Sequence, residues 1–216
     1  MKPRVAQQKT AALTRVEVVV VLAILAVLLA ILLPQLSAAR KKAQRITCMN
    51  HLCQVGLAFR IWEGDHTNLY PMSVSTNLGG TLECIERGET FRHFQVMSNE
   101  LSTPIILSCP IDVRHPAKDF GPAFGNTNVS FFVGVDANES NPQMPLSGDR
   151  NIIGGTKLPN GILEIATNQS VGWSSEMHDG VGNIGMADGS VQQTASSNLC
   201  QLLQQAGLAT NRLAIP

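Results

Sequence analysis

The most distinct pattern in the chain is an apolar run close to its amino terminus. Residues 18–33 read VVVVLAILAVLLAILL, without a polar side chain, and Leu13 and Leu36 extend the run on either side. A hydrocarbon core about 30 Å thick is crossed by about 20 apolar residues at about 1.5 Å each. Because the run is apolar on every face and a basic cluster follows at residues 40–45, it predicts a transmembrane helix over residues 13–36 rather than a buried core helix.

Beyond Pro34 the apolar positions become periodic. Their steps of three and four residues predict an amphipathic helix over residues 37–64 that continues the first helix and packs through one face. That predicted face comprises Leu36, Ala39, Ala43, Ile46, Met49, Cys53, Leu57 and Ile61. Pro34 is expected to bend the helix and Gly64 to end it. A coiled coil is the alternative, although the stripe covers few heptads.

Short apolar runs separated by Gly, Pro, Asn and Asp predict β-strands in residues 65–216. The predicted strands cover residues 104–109, 130–135, 161–166 and 182–187. Residues 65–103 and 136–160 are predicted to be rich in loops. The predicted fold class is therefore α+β, with a long amino-terminal helix packed on an antiparallel sheet.

Two local signals follow the last predicted strand. Asp188-Gly189 predicts a two-residue hairpin turn, because both turn positions favour a positive φ. A short helix is predicted over residues 198–206. Its predicted caps are Ser196 or Ser197 at the start and Gly207 at the end.

Charge is divided unequally along the chain. Sixteen Lys and Arg balance sixteen Asp and Glu, but residues 1–45 hold eight bases and one acid, whereas residues 46–216 hold eight bases and fifteen acids. The balanced total excludes a broadly basic nucleic-acid-binding protein and a disordered polyelectrolyte. Four basic residues flank each end of the apolar run, so the positive-inside rule gives no orientation.

The residues around the single acid of this first segment match a known family. The stretch ALTRVEVVVVLAILAVLLAILLP resembles the amino-terminal segment of type IV pilins and type II secretion pseudopilins. In that family a dedicated peptidase cuts just before the apolar run, the new terminus is N-methylated, and a Glu occupies the fifth mature position. With Glu17 at that position, the resemblance implies a cleaved leader over residues 1–12, ending at Ala12, and Leu13 as the first mature residue. At the positions of Ala12 and Leu13, the family prefers Gly and Phe, respectively.

The resemblance also implies a function and a location. The chain would be a pilin-like structural subunit that assembles through its amino-terminal helix into a type IV pilus-like or type II secretion filament. It would cross the inner membrane once, with a cytoplasmic amino terminus and residues 65–216 exported to the periplasm or cell surface. Its partners would be membrane lipid, copies of itself, prepilin peptidase and assembly machinery, and no nucleic acid. Glu17 would pair with the terminal ammonium of a neighbouring subunit; alternatively, its carboxylate reaches the membrane interface.

Two other functions fit the same segments. One is a membrane-anchored extracytoplasmic binding module that does not assemble. The other is an exported hydrolase or lectin whose apolar run is a cleaved signal, with Ser37-Ala38-Ala39 as the small residues of the cleavage site. The run is longer than the roughly 7–15 apolar residues of a signal peptide, which favours an anchor.

A second resemblance lies towards the carboxyl end. His178, nine further residues and then Asp188-Gly189 are similar to the H-x9-D-G module of a large bacterial group of pilin-like proteins. Other segments that look like that group are Cys48-Met-Asn-His-Leu-Cys, Tyr70-Pro71, Ser108-Cys109-Pro110 and Gly148-Asp149-Arg150-Asn151. A catalytic or metal-binding pair of His178 and Asp188 is one interpretation. An extended segment would separate the two by about 25–30 Å, so we favour a turn at Asp188 and a loop ordered by His178.

Several side chains are candidate metal ligands or disulfide partners. Calcium takes about six to eight oxygen ligands. The candidate calcium ligands are Asp136, Asn138, Asp149 and Asp179. They do not follow the EF-hand pattern. Among five cysteines, Cys84 and Cys109 are the first disulfide candidates in an exported domain. Zinc is the alternative, although no C-x2-C unit occurs. Without a catalytic motif, the chain is predicted not to be an enzyme and to need no cofactor besides calcium.

Overall fold

The computed structural model describes residues 14–216. The predicted leader over residues 1–12 and the predicted processing residues Ala12 and Leu13 lie outside the described residues. The described residues divide into two units, one that ends at Ala43 and one over Gln44–Pro216. The second is called the globular unit below.

One helix, α1, extends over Arg15–Asp65 and confirms the predicted long amino-terminal helix. Pro34 lies inside it and does not end it. Every side chain of residues 14–43 is exposed. By length and composition, α1 is able to cross a membrane, which is compatible with a single anchor near the amino terminus.

Within the globular unit, α1 buries the face opposite to the predicted one. The buried apolar side chains are Cys48, Leu52, Val55, Phe59 and Trp62. Three of the predicted packing residues are instead 47–59% exposed: Ile46, Leu57 and Ile61. At about 3.6 residues per turn, these two sets lie on opposite sides of the helix. Both repeat at steps of three and four, so periodicity cannot separate them; the buried set contains the aromatic side chains, which have the largest apolar area to bury.

The globular unit contains nine strands among its described residues, and all their pairings are antiparallel. They are β1 Phe131–Gly134, β2 Pro145–Asp149, β3 Ile152–Gly154, β4 Thr156–Lys157, β5 Ile162–Ala166, β6 Val171–Trp173, β7 Val181–Met186, β8 Val191–Ala195 and β9 Thr210–Ala214. Seven of them form one sheet in the order β4-β5-β9-β1-β2-β7-β8, and β3 pairs with β6. The predicted α+β class with an antiparallel sheet is confirmed, and β1, β5 and β7 match three predicted strands.

The predicted strand over residues 104–109 is wrong. Residues 104–109 do not form a strand: Pro104–Leu107 is a 3-10 helix, with Pro104 in its first turn and the Thr103 hydroxyl accepting a hydrogen bond from the Ile105 N–H. Residues 136–160, predicted to be rich in loops, also contain β2, β3 and β4. The sequence of β2, PLSGD, is unlike a typical strand, yet all five residues are buried.

The helices of the globular unit besides α1 are short. They are α2 Thr90–Gln95, α3 Ser98–Leu101 and α4 Ser196–Gln205, together with 3-10 turns at Pro71–Ser73, Thr76–Leu78, Leu82–Cys84 and Asn126–Asn128. The residue preceding α4 is Ala195, without a side-chain cap. The predicted cap Ser196 instead donates to the Gly180 carbonyl and accepts from the Trp173 N–H, so its hydroxyl is used between elements.

Side chains on both faces of the sheet are buried. Phe131 and Val133 of β1 belong to the same apolar cluster as the buried face of α1. Phe132, between them, belongs to a second cluster that includes Leu199 of α4. Alternate residues of a strand point to opposite faces, so β1 separates the two clusters.

Candidate functional site

Four potential metal ligands from distant parts of the chain meet inside the globular unit. They are Cys48 in α1, Cys109 in the loop after the Pro104–Leu107 turn, Asp149 at the end of β2, and His178 before β7. One ligand atom from each lies within 4.8 Å of the ligand atoms of the other three. The four residues are 0–2% exposed. We refer to them as the Cys-His-Asp cluster.

Short contacts link the members of the cluster in a chain. The Cys48 thiol donates to Asp149 Oδ1 over 3.4 Å. Asp149 Oδ2 lies 3.4 Å from His178 Nε2. The same Nε2 atom lies 3.3 Å from Cys109 Sγ. The His178 ring therefore presents one nitrogen to both a thiol and a carboxylate.

Asn183 in β7 fixes the carboxylate of Asp149. Its backbone N–H and its side-chain amide donate to Asp149 Oδ2 over 2.7 and 2.9 Å. β2 and β7 are neighbouring strands, so the sheet holds the donor and the acceptor in register. The position of this carboxylate is thus set by backbone pairing as well as by its own rotamer.

The loop that carries His178 is tied down from two sides. His178 has a φ of 55°, in the left-handed region that few non-glycine residues adopt. The Asn151 amide donates to the carbonyls of Ser174 and Met177, at 2.9 and 3.3 Å. Arg45 of α1 donates to the His178 carbonyl over 3.1 Å. These bonds stabilise a conformation that places the imidazole in the interior.

An ion pair anchors the loop that carries Cys109. Arg150 Nε and Nη2 donate to the two oxygens of Asp112, over 2.9 and 2.8 Å. The Asp112 side chain is 1% exposed and that of Arg150 is 16% exposed. A two-pronged pair of this kind is geometrically specific. It joins the residue next to Asp149 to the loop containing Cys109.

The cluster contains three acidic groups, two thiols and the Asp149 carboxyl, and a single imidazole that can carry a positive charge. Burial raises the pKa of Asp149 to about 7. The hydrogen bond with Cys48, together with that to His178, lowers the pKa of Cys109 to about 5, whereas the same thiol contact raises the pKa of Cys48. Burial lowers the pKa of His178, but its bond to Cys109 and the charge of Asp149 outweigh burial and raise it. One imidazolium cannot balance a thiolate and a carboxylate together.

Comparison of the chain with protein-family models, curated proteins and solved structures gives no match.

The cluster has the chemistry of a metal site more than that of a nucleophilic one. A nucleophile–base–orienting group relay uses both ring nitrogens of the histidine, one towards the nucleophile and one towards the carboxylate. Here Nε2 faces both groups, and Nδ1 is buried without a hydrogen-bond partner among the described residues. Two thiols, an imidazole and a carboxylate around a common point are the ligand types that bind transition metals.

The structure does not join His178 to Asp188. They precede and follow β7, and Asp188 is exposed in the β7–β8 turn, where its Oδ1 accepts from the Ser190 N–H over 2.8 Å. The turn itself differs from the predicted one: Met186 N–H donates to the Ser190 carbonyl, which encloses three residues, and of these only Gly189 has a positive φ.

The four candidate calcium ligands have separate partners. Asp136 pairs with Arg212, and Asp179 pairs with Arg45 over 3.0 Å. The Asn138 side-chain oxygen accepts from the Asn141 N–H, and Asp149 belongs to the Cys-His-Asp cluster. The structure does not assemble these four residues into one ligand set, and calcium binding stays a prediction.

The predicted disulfide between Cys84 and Cys109 is not formed, since both cysteines are free. Sequence reasoning missed the cluster because its members are spread from Cys48 to His178, with no short-range ligand motif. A usable signal was nonetheless present. Each of the four ligands lies in a segment that looks like the H-x9-D-G group, and these segments meet at one point in the interior.

Proposed function

We propose that the chain is a pilin-like structural subunit, anchored by its amino-terminal helix and assembled through that helix into a filament. The observation that supports this most directly is the exposure of α1. From Val16 to Leu36, its large apolar side chains are 43–71% exposed. Exposure of such a continuous apolar surface to water is unfavourable. Lipid or other copies of the chain would therefore have to cover it.

The exposed apolar stripe of α1 within the globular unit supports self-association. Ile46, Leu57 and Ile61 lie on one side of the helix, opposite its buried face. In the proposed filament, this stripe would continue the contact between neighbouring helices beyond the membrane-spanning part. In a monomeric anchored binding module, no other copy of the chain would cover a second apolar surface at this position.

The resemblance at residues 12–34 supplies the rest of the proposal. Prepilin peptidase would cut after Ala12 and leave an N-methylated Leu13, with the amino terminus in the cytoplasm and the globular unit exported. Assembly machinery would then move the subunit from the inner membrane into a type IV pilus-like or secretion filament. As a structural subunit, the chain would need neither catalysis nor nucleic acid.

Mass spectrometry of the mature amino terminus tests this proposal. The chain would be purified from the membranes of a bacterium that carries a prepilin peptidase. We expect a methylated Leu13 as the first residue. An intact Met1 would favour a permanent anchor that does not assemble, and a terminus near Arg40 would favour a secreted domain; either result would refute the proposal.

A further inference from the structure

We propose that Cys48, Cys109, Asp149 and His178 together bind one zinc ion in the interior of the globular unit. This site is independent of the proposed filament function, since its four ligands are buried inside the globular unit, whereas the proposed filament contacts use the exposed surface of α1. The four side chains come from four separate segments and converge in a region sealed from solvent.

Three contacts within the cluster fall in the range of distances between the ligands of a tetrahedral zinc ion. Zinc lies about 2.3 Å from sulfur and about 2.0–2.2 Å from nitrogen and oxygen, so tetrahedral ligand atoms are separated by about 3.3–3.8 Å. The Cys48 Sγ to Asp149 Oδ1 distance is 3.4 Å. The His178 Nε2 atom lies 3.4 Å from Asp149 Oδ2 and 3.3 Å from Cys109 Sγ. All the ligand atoms lie within 4.8 Å of one another, so the side chains would have to draw together for a zinc ion to reach all four.

The ligand types select zinc over the hard cations. Calcium and magnesium bind oxygen ligands, and this cluster offers one carboxylate beside two sulfurs and one nitrogen. Four protein ligands would complete a tetrahedral shell, leaving no position for a water or substrate. A closed shell of this kind is the arrangement of structural rather than catalytic zinc.

Zinc would also offset most of the negative charge of the cluster. On binding, the protons held by the cluster would pass to solvent, so that Cys48 and Cys109 bind as thiolates and His178 as neutral imidazole. Two thiolates and the Asp149 carboxylate carry three negative charges, of which the dication offsets two. The two N–H donors of Asn183 act on the same carboxylate and would serve as its outer-shell partners.

The alternative to zinc binding is a disulfide between Cys48 and Cys109. It would employ two of the four groups and leave Asp149 and His178 buried together without a chemical role. Zinc employs all four and ties α1 to the loops before β7 and after the Pro104–Leu107 turn. For this reason we favour the metal.

The first test is the metal content of the full chain, purified in detergent under reducing conditions without added metal. We expect about one zinc per chain by elemental mass spectrometry. The zinc content should be at least tenfold lower in the variants Cys48→Ser, Cys109→Ser and His178→Gln. Cys53→Ser and Cys84→Ser are matched controls, one exposed and one buried outside the cluster, and should retain the full amount.

A second measurement uses the unmodified chain, because ligand variants can fail to fold. After removal of metal with a chelator, Co²⁺ alone is added. We expect thiolate charge-transfer absorption and the intense visible bands of tetrahedral cobalt, and both should disappear when Zn²⁺ displaces the cobalt. Absence of zinc in the purified chain together with absence of these bands would overturn the proposal. A Cys48–Cys109 disulfide in the mass spectrum of the freshly isolated, non-reduced chain would also overturn it.

Discussion

The two parts of α1 differ in what covers them, although they are consecutive turns of one helix. In residues 15–43 every side chain is exposed. In residues 44–65 one face is buried among the side chains of the globular unit and the opposite face is exposed. The first part is apolar all round, whereas the second has two apolar sides, of which the chain covers one.

This difference shows which surfaces need a partner from outside the chain. A helix satisfies its own backbone hydrogen bonds, so the first part can exist in lipid without any tertiary contact. The second part is fixed by packing against aromatic side chains of its own unit, such as Tyr70 and Phe94. Its uncovered stripe shares a property with each part: it is apolar and exposed like the first part, yet it belongs to a packed unit.

The largest expected effect comes from truncating a side chain on the buried face. Phe59 is 0% exposed, and its ring makes edge contacts with Tyr70 and Phe94, at centroid distances of 5.9 and 6.1 Å. We expect Phe59→Ala to lower the free energy of unfolding of the globular unit by about 3–5 kcal/mol. Denaturation of the full chain in detergent, followed by tryptophan fluorescence, measures this, because Trp62 and Trp173 both lie in that unit.

Leu57→Ala is the matched control on the opposite face. Leu57 is 59% exposed, so its truncation should change the free energy of unfolding by less than about 0.5 kcal/mol. The same variant should weaken self-association if the exposed stripe is a contact between copies. Equal losses of stability in the two variants would show that the two faces of α1 are not distinguished as described.

This comparison also shows how far the sequence could predict the fold. A continuous apolar run has no alternative to a helix, so α1 was predictable. The choice of its buried face was not, since Phe59 and Leu57 belong to stripes with the same spacing. β2 was hidden for another reason: Pro, Ser, Gly and Asp are poor strand formers, and only pairing with its neighbours makes PLSGD a strand.

A smaller effect is expected from the one carboxyl group on the buried side of α1. Glu63 is 4% exposed, and burial, with the nearby Glu139 carboxyl, raises its pKa to about 7. The folded chain therefore binds more protons than the unfolded chain between about pH 4.5 and 7, and stability falls as the pH rises through this window. Glu63→Gln should remove this loss and stabilise the unit at pH 8 by about 2 kcal/mol, with little change at pH 4.5.

Denaturation at several pH values measures this difference, and Glu139→Gln separates its two causes. Burial is the larger cause, so removal of the Glu139 charge should recover only a minor part of the stability at pH 8. If wild type and Glu63→Gln lose stability in parallel from pH 4.5 to 8, Glu63 does not carry the effect. The Cys-His-Asp cluster is unchanged in both variants, so it contributes equally to each curve.

The Cys-His-Asp cluster was less predictable than either part of α1. Metal motifs are recognised from ligands a few residues apart, whereas here Cys48 and His178 lie on segments that only the folded sheet brings together. His178 is part of the H-x9-D-G spacing, but the partner that this spacing suggests, Asp188, lies in an exposed turn. Asp149, placed among calcium candidates by its carboxylate, lies beside sulfur and nitrogen instead.

The smallest effect on the stability of the isolated chain is expected at Glu17, the acid of the exposed part of α1. Its carboxylate accepts from the Thr14 N–H over 2.7 Å and from the Thr14 hydroxyl over 2.8 Å, and its own N–H donates to that hydroxyl over 3.3 Å. This is a capping box, which gives Glu17 a local role besides the proposed pairing between subunits. Glu17→Gln preserves the capping geometry and removes the charge, whereas Glu17→Val removes both.

The two variants therefore separate helix capping from assembly. Membrane insertion of both should be at least as complete as that of the wild type, because each replaces a carboxylate with a residue that costs less in lipid. If the charge pairs with a neighbouring terminus, Glu17→Gln should be absent from sheared, sedimented filaments in cells that carry the assembly machinery, as should Glu17→Val. Incorporation of Glu17→Gln at the wild-type level, with loss of Glu17→Val alone, would assign Glu17 to capping and leave assembly to the apolar surface of α1.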